Sequence, residues 1–215
     1  MQFYFRIFFY FASIALVTQF TNLDLFISDL FLNHDHRFYW QANKALGVAL
    51  HDYPKYVAIL IGLLFWSSAV GIILFNKNIL KNFFQKKEVL YVSLAAILIP
   101  VIIWYIRDFS AMHCPRELIR YGGEFEYLRI FDSIPALWSK GQCSPSAHAS
   151  SFLWLLAIPI LKKNHLMLKT LSGFIFILCF VQVLRGAHFV SHICYSFLIA
   201  YLVLEITYIV FKKLK

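Results

Sequence analysis

Apolar and polar positions alternate in long blocks along this chain. Apolar runs occupy residues 3–18, 56–75, 89–106, 146–161, 170–184 and 190–211, and polar or basic segments separate them. Such runs approach the roughly 20 residues that a helix needs to cross the apolar core of a bilayer. The pattern therefore predicts an all-α, polytopic membrane protein with six transmembrane helices. Arg6 falls near the start of the first run, where a long side chain can reach back to the interface. No small-x-small cleavage site follows that run, so it reads as a retained helix. Pro100 lies inside the third run, where neighbouring helices tolerate a kink. Two long polar connections stand out. Residues 22–55 carry Asp24, Asp29, His34, Asp35, His36, Arg37, His51 and Asp52, and residues 107–141 are rich in charge.

Composition strengthens this picture. Of 215 residues, 60% are hydrophobic and only 14% charged, which excludes an ordinary soluble domain. There is no linker, repeat or low-complexity tail, so residues 1–215 read as a single integral membrane domain. The formal charge of +9 sits largely in lysine clusters at 76–87, 162–169 and 212–215. These flank apolar runs and form no long basic face, which argues against nucleic-acid binding. By the positive-inside rule they mark the cytoplasmic side. Six spans then place both termini there. Residues 22–55, 107–141 and 185–192 fall on the other side.

The chemistry concentrates in that second group. The stretch Cys143-Ser144-Pro145-Ser146-Ala147-His148-Ala149-Ser150-Ser151 precedes an apolar run. Pro145 suits a helix start, and a helix start favours anions. The alternative is that Ser146 merely caps the helix while His148 sits at the interface. A second cluster, His188-Phe189-Val190-Ser191-His192, lies about forty residues on. Arg107, Arg116 and Arg120 follow the third run, and guanidinium forks match phosphate oxygens. Arg185 precedes His188 by three residues, so on a helix both share one face. Two histidines with arginines, hydroxyls and a helix start suit phosphoryl transfer. One imidazole attacks phosphorus, the other protonates the leaving oxygen, and cations stabilise the equatorial oxygens. A rival reading makes His188 and His192, at i and i+4, ligands of one metal ion, with His148 or His113 recruited. The four cysteines form no C-x-x-C pair and show no zinc spacing.

At these residues the sequence resembles the type 2 phosphatidic acid phosphatase superfamily, whose members are six-helix membrane phosphatases with a site facing away from the cytoplasm. Its pattern is Lys-x6-Arg-Pro, Pro-Ser-Gly-His and Arg-x5-His-x3-Asp. The first motif falls on Arg107 to Pro115, with Cys114 at the arginine position. The second falls on Pro145-Ser146-Ala147-His148, with Ala147 for glycine. The third falls on Gln182 to His192, with Gln182 at the arginine position and His192 at the aspartate position. Pro115-Arg116-Glu117, Tyr121-Gly122-Gly123, the Cys143-Ser144 and Ala149-Ser150-Ser151 flanks and Gly186-Ala187-His188-Phe189 resemble the branch that holds bacterial lipid A phosphatases.

The resemblance implies His188 as nucleophile, His148 as general acid, and Arg107 and Ser146 as phosphate ligands, with no metal or cofactor. Arg185, Arg116 or a protonated His192 would compensate for the charges missing at Cys114 and Gln182. His192, one helical turn after His188, is expected to accept a hydrogen bond from it in place of the aspartate. The implied function is hydrolysis of a phosphate from a membrane lipid, lipid A foremost, at the periplasmic face of a bacterial inner membrane. Undecaprenyl pyrophosphate and a phosphatidyl phosphate are the next substrates. The replaced motif positions also admit a pseudoenzyme that binds phospholipid head groups or a membrane partner. Cys114 and Cys143 would share an oxidising compartment beside one pocket, where a disulfide and two free thiols are both open.

Overall fold

A computed structural model of the chain describes residues 2–38, 40, 45, 48–135 and 138–213, with side chains from residue 8 onward. The expected snorkelling of Arg6 and the last basic residue, Lys215, lie outside the described side chains and residues. Among the described residues seven α-helices follow in order: α1 (Gln2–Phe20), α2 (Leu23–Asp29), α3 (Tyr53–Phe75), α4 (Lys86–Asp108), α5 (Ala147–Leu161), α6 (His165–Leu184) and α7 (Val190–Lys213). A π-helical turn, Val48–Asp52, runs directly into α3. Among the described residues the only β pairings are two isolated bridges, Leu32 with Phe38 and Leu118 with Phe125. The all-helical expectation is met.

Local sequence sets the helix ends. Glu88 accepts from the Gln85 backbone at 2.8 Å where α4 begins, and Asn164 accepts from Met167 N at 2.9 Å at the start of α6. Such caps satisfy amides that the helix itself leaves unbonded. Asn76, in the left-handed conformation at φ 56°, stops α3. Ser146 caps α5 by accepting from Ala149 N at 3.3 Å. Pro145 thus precedes α5, after a cis Ser144–Pro145 peptide, and does not open the helix as expected.

Among the described residues four helical units are long and apolar enough to cross a bilayer: Val48–Phe75, α4, α6 and α7. The protein is thus a multi-pass membrane protein. α1 and α2 meet the same test only together, as a pair bent by 90°. α5 is shorter, about 23 Å at 1.5 Å per residue, and a 3-10 turn at Trp154–Leu156 interrupts it. Pro159 explains the interruption. It has no N–H to give to Leu155, and its ring crowds that carbonyl.

α5 is the central element, packed against α3, α4, α6 and α7. Leu153, Leu156 and Ala157 are wholly buried there. The outer faces stay apolar: Leu60 and Ile73 on α3, Val101 and Trp104 on α4, Phe174 and Ile177 on α6, and Ile206 and Ile209 on α7 are exposed. Such faces suit lipid. Between helices, where apolar surface supplies little drive in lipid, hydrogen bonds contribute. Ser93 Oγ donates to Phe65 O at 3.0 Å, Tyr91 OH to Leu204 O at 3.2 Å, and Ser172 pairs with Tyr201 at 2.9 Å. α1 is fastened to α7 by the Phe11–Phe197 stack, 4.2 Å between centroids.

The two ends of the bundle differ in chemistry. At one end Lys162 bridges to Glu88 at 3.0 Å and lies over Phe84, joining two basic connections. The C-terminal part of α7 reaches the same end, where Tyr208 and Phe211 meet Tyr91 of α4. At the other end three connections converge. Asp24 of α2 accepts from Ser191 N at 3.0 Å, from the Ser191 hydroxyl, and from Tyr127 OH at 3.2 Å. Asp29 receives a two-pronged ion pair from Arg120, at 2.6 and 3.0 Å. Gly186, at φ +64°, lies against the Phe38 ring, which a Cβ there would overlap. Glycine is required at this turn on both grounds. Arg116 N also donates to Gly186 O at 2.9 Å.

Candidate functional site

His148 and His188, distant in sequence, come within electrostatic reach of each other at the polar end of the bundle. His148 occupies the first turn of α5 and is 8% exposed. Both of its ring nitrogens are buried and find no hydrogen-bond partner among the described residues. Packing holds the ring. His51 lies flat on one side, 4.4 Å between centroids with planes 12° apart, and Phe152 meets it edge-on at 5.2 Å. His51 Nδ1 is 2.6 Å from Asp52 Oδ1. Arg185 and Lys55 lie within electrostatic reach of both His148 and Asp52. The Arg185 Nε is buried without a partner among the described residues.

His188 lies in the turn between α6 and α7. Its Nδ1 is 3.4 Å from Cys143 Sγ. Burial pushes its imidazole well below the usual range, reinforced by His192, Arg107 and Arg116 and opposed by the Cys143 carbonyl. The ring is therefore neutral at neutral pH. Arg107 donates from Nε to Gln142 O, which ties the end of α4 to the approach to α5.

Cys143 and Cys114 form a disulfide with Cα atoms 5.2 Å apart, so of the two open alternatives the bridge is the one present. It joins the exit of α4 to the start of α5, beside Cys143 N to Met112 O at 3.1 Å. Its sulfurs carry no hydrogen, so Cys143 Sγ can only accept from His188. Cys114, Cys143 and His188 place possible metal-ligand atoms within 4.8 Å of one another. With both sulfurs in the disulfide they offer no thiolate, and no other set of three metal-ligating side chains gathers among the described residues. His113, the suggested recruit, has Nε2 3.2 Å from Ser139 O and Nδ1 3.4 Å from Glu117. The closed loop spans 29 residues. Replacing both cysteines by serine is expected to lower stability by about 2–4 kcal/mol, read as a lower unfolding midpoint in detergent without reductant. An unchanged midpoint would show that the bridge constrains nothing.

Two expected alignments fail for one reason. Arg185 and His188 were to share a helix face, and His188 was to hydrogen-bond His192 one turn on. Instead Arg185 caps the end of α6, Gly186 turns the chain, and α7 begins only at Val190. Arg185 consequently reaches His148, while His188 meets His192 edge-to-face at 5.9 Å with no hydrogen bond. His192 is buried in α7, with Nδ1 unpartnered among the described residues and its carbonyl accepting from Ser146 N at 3.1 Å.

The remaining positions are equally concrete. Ser146 is fully buried and acts as the α5 cap. Ala147 opens α5 and accepts from Ser150 Oγ at 2.6 Å. Gln182 is buried, its carbonyl accepting from Ala187 N at 2.8 Å and its Nε2 unpartnered among the described residues. Arg116 is exposed at the rim, within electrostatic reach of His188. Arg120, committed to Asp29, belongs to the scaffold.

Sequence reasoning left His51, Asp52, Lys55 and Asp24 outside the site. The adjacent His51-Asp52 pair at the edge of an apolar run was the available signal. Tyr127, pushed up by burial and by Asp24, remains a phenol that donates to that carboxylate. Asp24 thereby anchors the Ser191 amide and hydroxyl in the first turn of α7 and, with them, the His188 turn.

In comparisons with family models, with curated proteins and with solved structures, no match to this chain was found.

Proposed function

We propose that the protein is a membrane lipid phosphatase that works through a phosphohistidine. The observation that carries this reading is the pairing of buried, unpartnered His148 with neutral His188 among Arg107, Arg116, Arg185 and Lys55. Buried polar groups without partners are uncommon in proteins and suit a site that receives a polar ligand. In this reading the negative charge of the bound phosphate holds His148 protonated, His188 attacks phosphorus as the bond to the lipid oxygen breaks, and His148 gives its proton to that oxygen. His148 then takes a proton from water, whose oxygen attacks the phosphohistidine and releases inorganic phosphate and free His188. The cations offset the charge on the equatorial oxygens. Arg185 and Lys55 supply the positive charge absent at Cys114 and Gln182.

The resemblance to type 2 phosphatidic acid phosphatases supports the assignment and extends it. It implies a six-span bundle, with the α1–α2 pair and the short α5 as the remaining two crossings. It also implies both termini in the cytoplasm, the site at the periplasmic face of a bacterial inner membrane, and lipid A as the leading substrate. An apolar cavity of about 410 Å³ lies beside Ser144 and Pro145, lined by Ile106, Met112, Leu198 and Ile199. It has room for an apolar chain, and none of His148, His188, Arg107 and Arg185 lines it.

Orientation is testable with introduced cysteines, because Cys114 and Cys143 are bridged and Cys179 and Cys194 buried. Lys140→Cys is expected to react with an impermeant thiol reagent from outside the cytoplasm, and Lys81→Cys is not. The reverse pattern would place the site in the cytoplasm. The activity itself is tested by phosphate release from lipid A, undecaprenyl pyrophosphate and phosphatidic acid in micelles, compared with His188→Ala. Equal rates would overturn the reading in favour of a head-group-binding protein without turnover.

A further inference from the structure

His148 presents a physical problem. A general acid needs its ring plane fixed, and imidazoles are ordinarily fixed by a hydrogen bond to the nitrogen that does not react. Neither nitrogen of His148 has such a bond among the described residues. The ring is held by its faces instead. His51 covers one of them at 4.4 Å, nearly parallel, and Phe152 abuts it. His51 is fixed in turn. Its Nδ1 is 2.6 Å from Asp52 Oδ1, so that nitrogen carries the proton and the ring has one tautomer. A π-helical turn at Val48–Asp52 sets both residues at the mouth of α3, and such turns occur often at functional sites. The connection that carries the pair is independently anchored to the site, through Phe38 on Gly186 and Asp24 on Ser191.

We propose that His51 is a positioning residue for His148, with Asp52 orienting His51, so that Asp52, His51 and His148 form one ordered unit in which a ring stack replaces a hydrogen bond. The proposal rests on the phosphatase reading for its catalytic consequence and on geometry alone for the contact. It assigns a role to the first half of the chain, which none of the three motifs covers. The stack needs a flat ring at position 51 and no proton from it.

Two measurements test it. Phosphate release from phosphatidic acid in micelles is measured for His51→Ala, His51→Phe and Asp52→Asn. His51→Ala is expected to lower kcat by roughly 10- to 100-fold with KM little changed, the scale of a misplaced reacting group. His51→Phe restores the flat ring and is expected to recover most of that loss, and Asp52→Asn to lie between. If Phe is no better than Ala, or if the loss appears in KM, the positioning role is overturned. The second measurement needs no turnover. In histidine-labelled protein, the His148 ring signal, assigned by its loss in His148→Ala, is expected to shift with His51→Ala and to return towards its original position with His51→Phe. A His148 signal indifferent to His51→Ala would overturn the proposal whatever the activity. A responsive signal in a protein that releases no phosphate would overturn the phosphatase reading and uphold the stack.

Discussion

His188→Ala is expected to lower phosphate release by on the order of 10⁴-fold or more, because removal of a nucleophile ends covalent catalysis and leaves only binding and electrostatic effects. The fold should survive, since beside the His188 contact with Cys143 Sγ the turn has anchors that do not depend on the imidazole. Gly186 rests on Phe38, and Ser191 on Asp24. The pH profile should carry the same signature. Burial first, and then His192, Arg107 and Arg116, keep the His188 imidazole neutral well below the ordinary value near 6.5. Acidification through pH ~6.5 should therefore leave the nucleophile in place, and loss through its protonation should set in only at distinctly lower pH. A rate that tracks an unperturbed imidazole would assign the nucleophile elsewhere.

His148→Ala is the second large effect, about 10²- to 10⁴-fold on lipid substrates. Its distinguishing property is dependence on the leaving group. A lipid alkoxide or sugar oxygen needs a proton as its bond to phosphorus breaks, whereas a nitrophenolate leaves readily without one. The variant should lose much less on p-nitrophenyl phosphate than on phosphatidic acid. His188→Ala should lose both substrates alike. Equal losses for His148→Ala would make His148 a phosphate ligand and remove it as the acid.

Much of this site is visible in the sequence because helix starts carry it. The Ser146-Ala147-His148 cap and the His188–His192 cluster both stand where an apolar run begins, so pattern alone puts them at helix mouths. The lysine clusters then predict which end of the bundle is which, and the Lys162–Glu88 and Tyr91–Phe211 contacts gather them at the opposite end. Side-chain direction across the α6–α7 turn was not visible. Spacing arguments assume a continuing helix, and the positive φ of Gly186 breaks it between Arg185 and His188. The bounds of α5 were legible to within one residue, 146–161 against Ala147–Leu161, but its 3-10 turn at Trp154–Leu156 was not, because Pro159, an apolar residue by composition, disturbs the helix through its backbone. His51 and Asp52 escaped because their relation to His148 is made by a tertiary stack across most of 100 positions, and no local period encodes it. The Cys114–Cys143 pairing stayed open for a similar reason, since spacing says nothing about the geometry a bridge requires.

The central claim is that phosphorus is transferred to His188. Rapid acid-free quenching of the protein during turnover of phosphatidic acid, followed by peptide mass spectrometry under alkaline conditions, tests it most directly. The account predicts an acid-labile phosphoryl group on the peptide that contains His188, localised to that side chain and absent from His188→Ala. Steady release of phosphate with no such adduct, or an adduct on His148 or His51 instead, would contradict it.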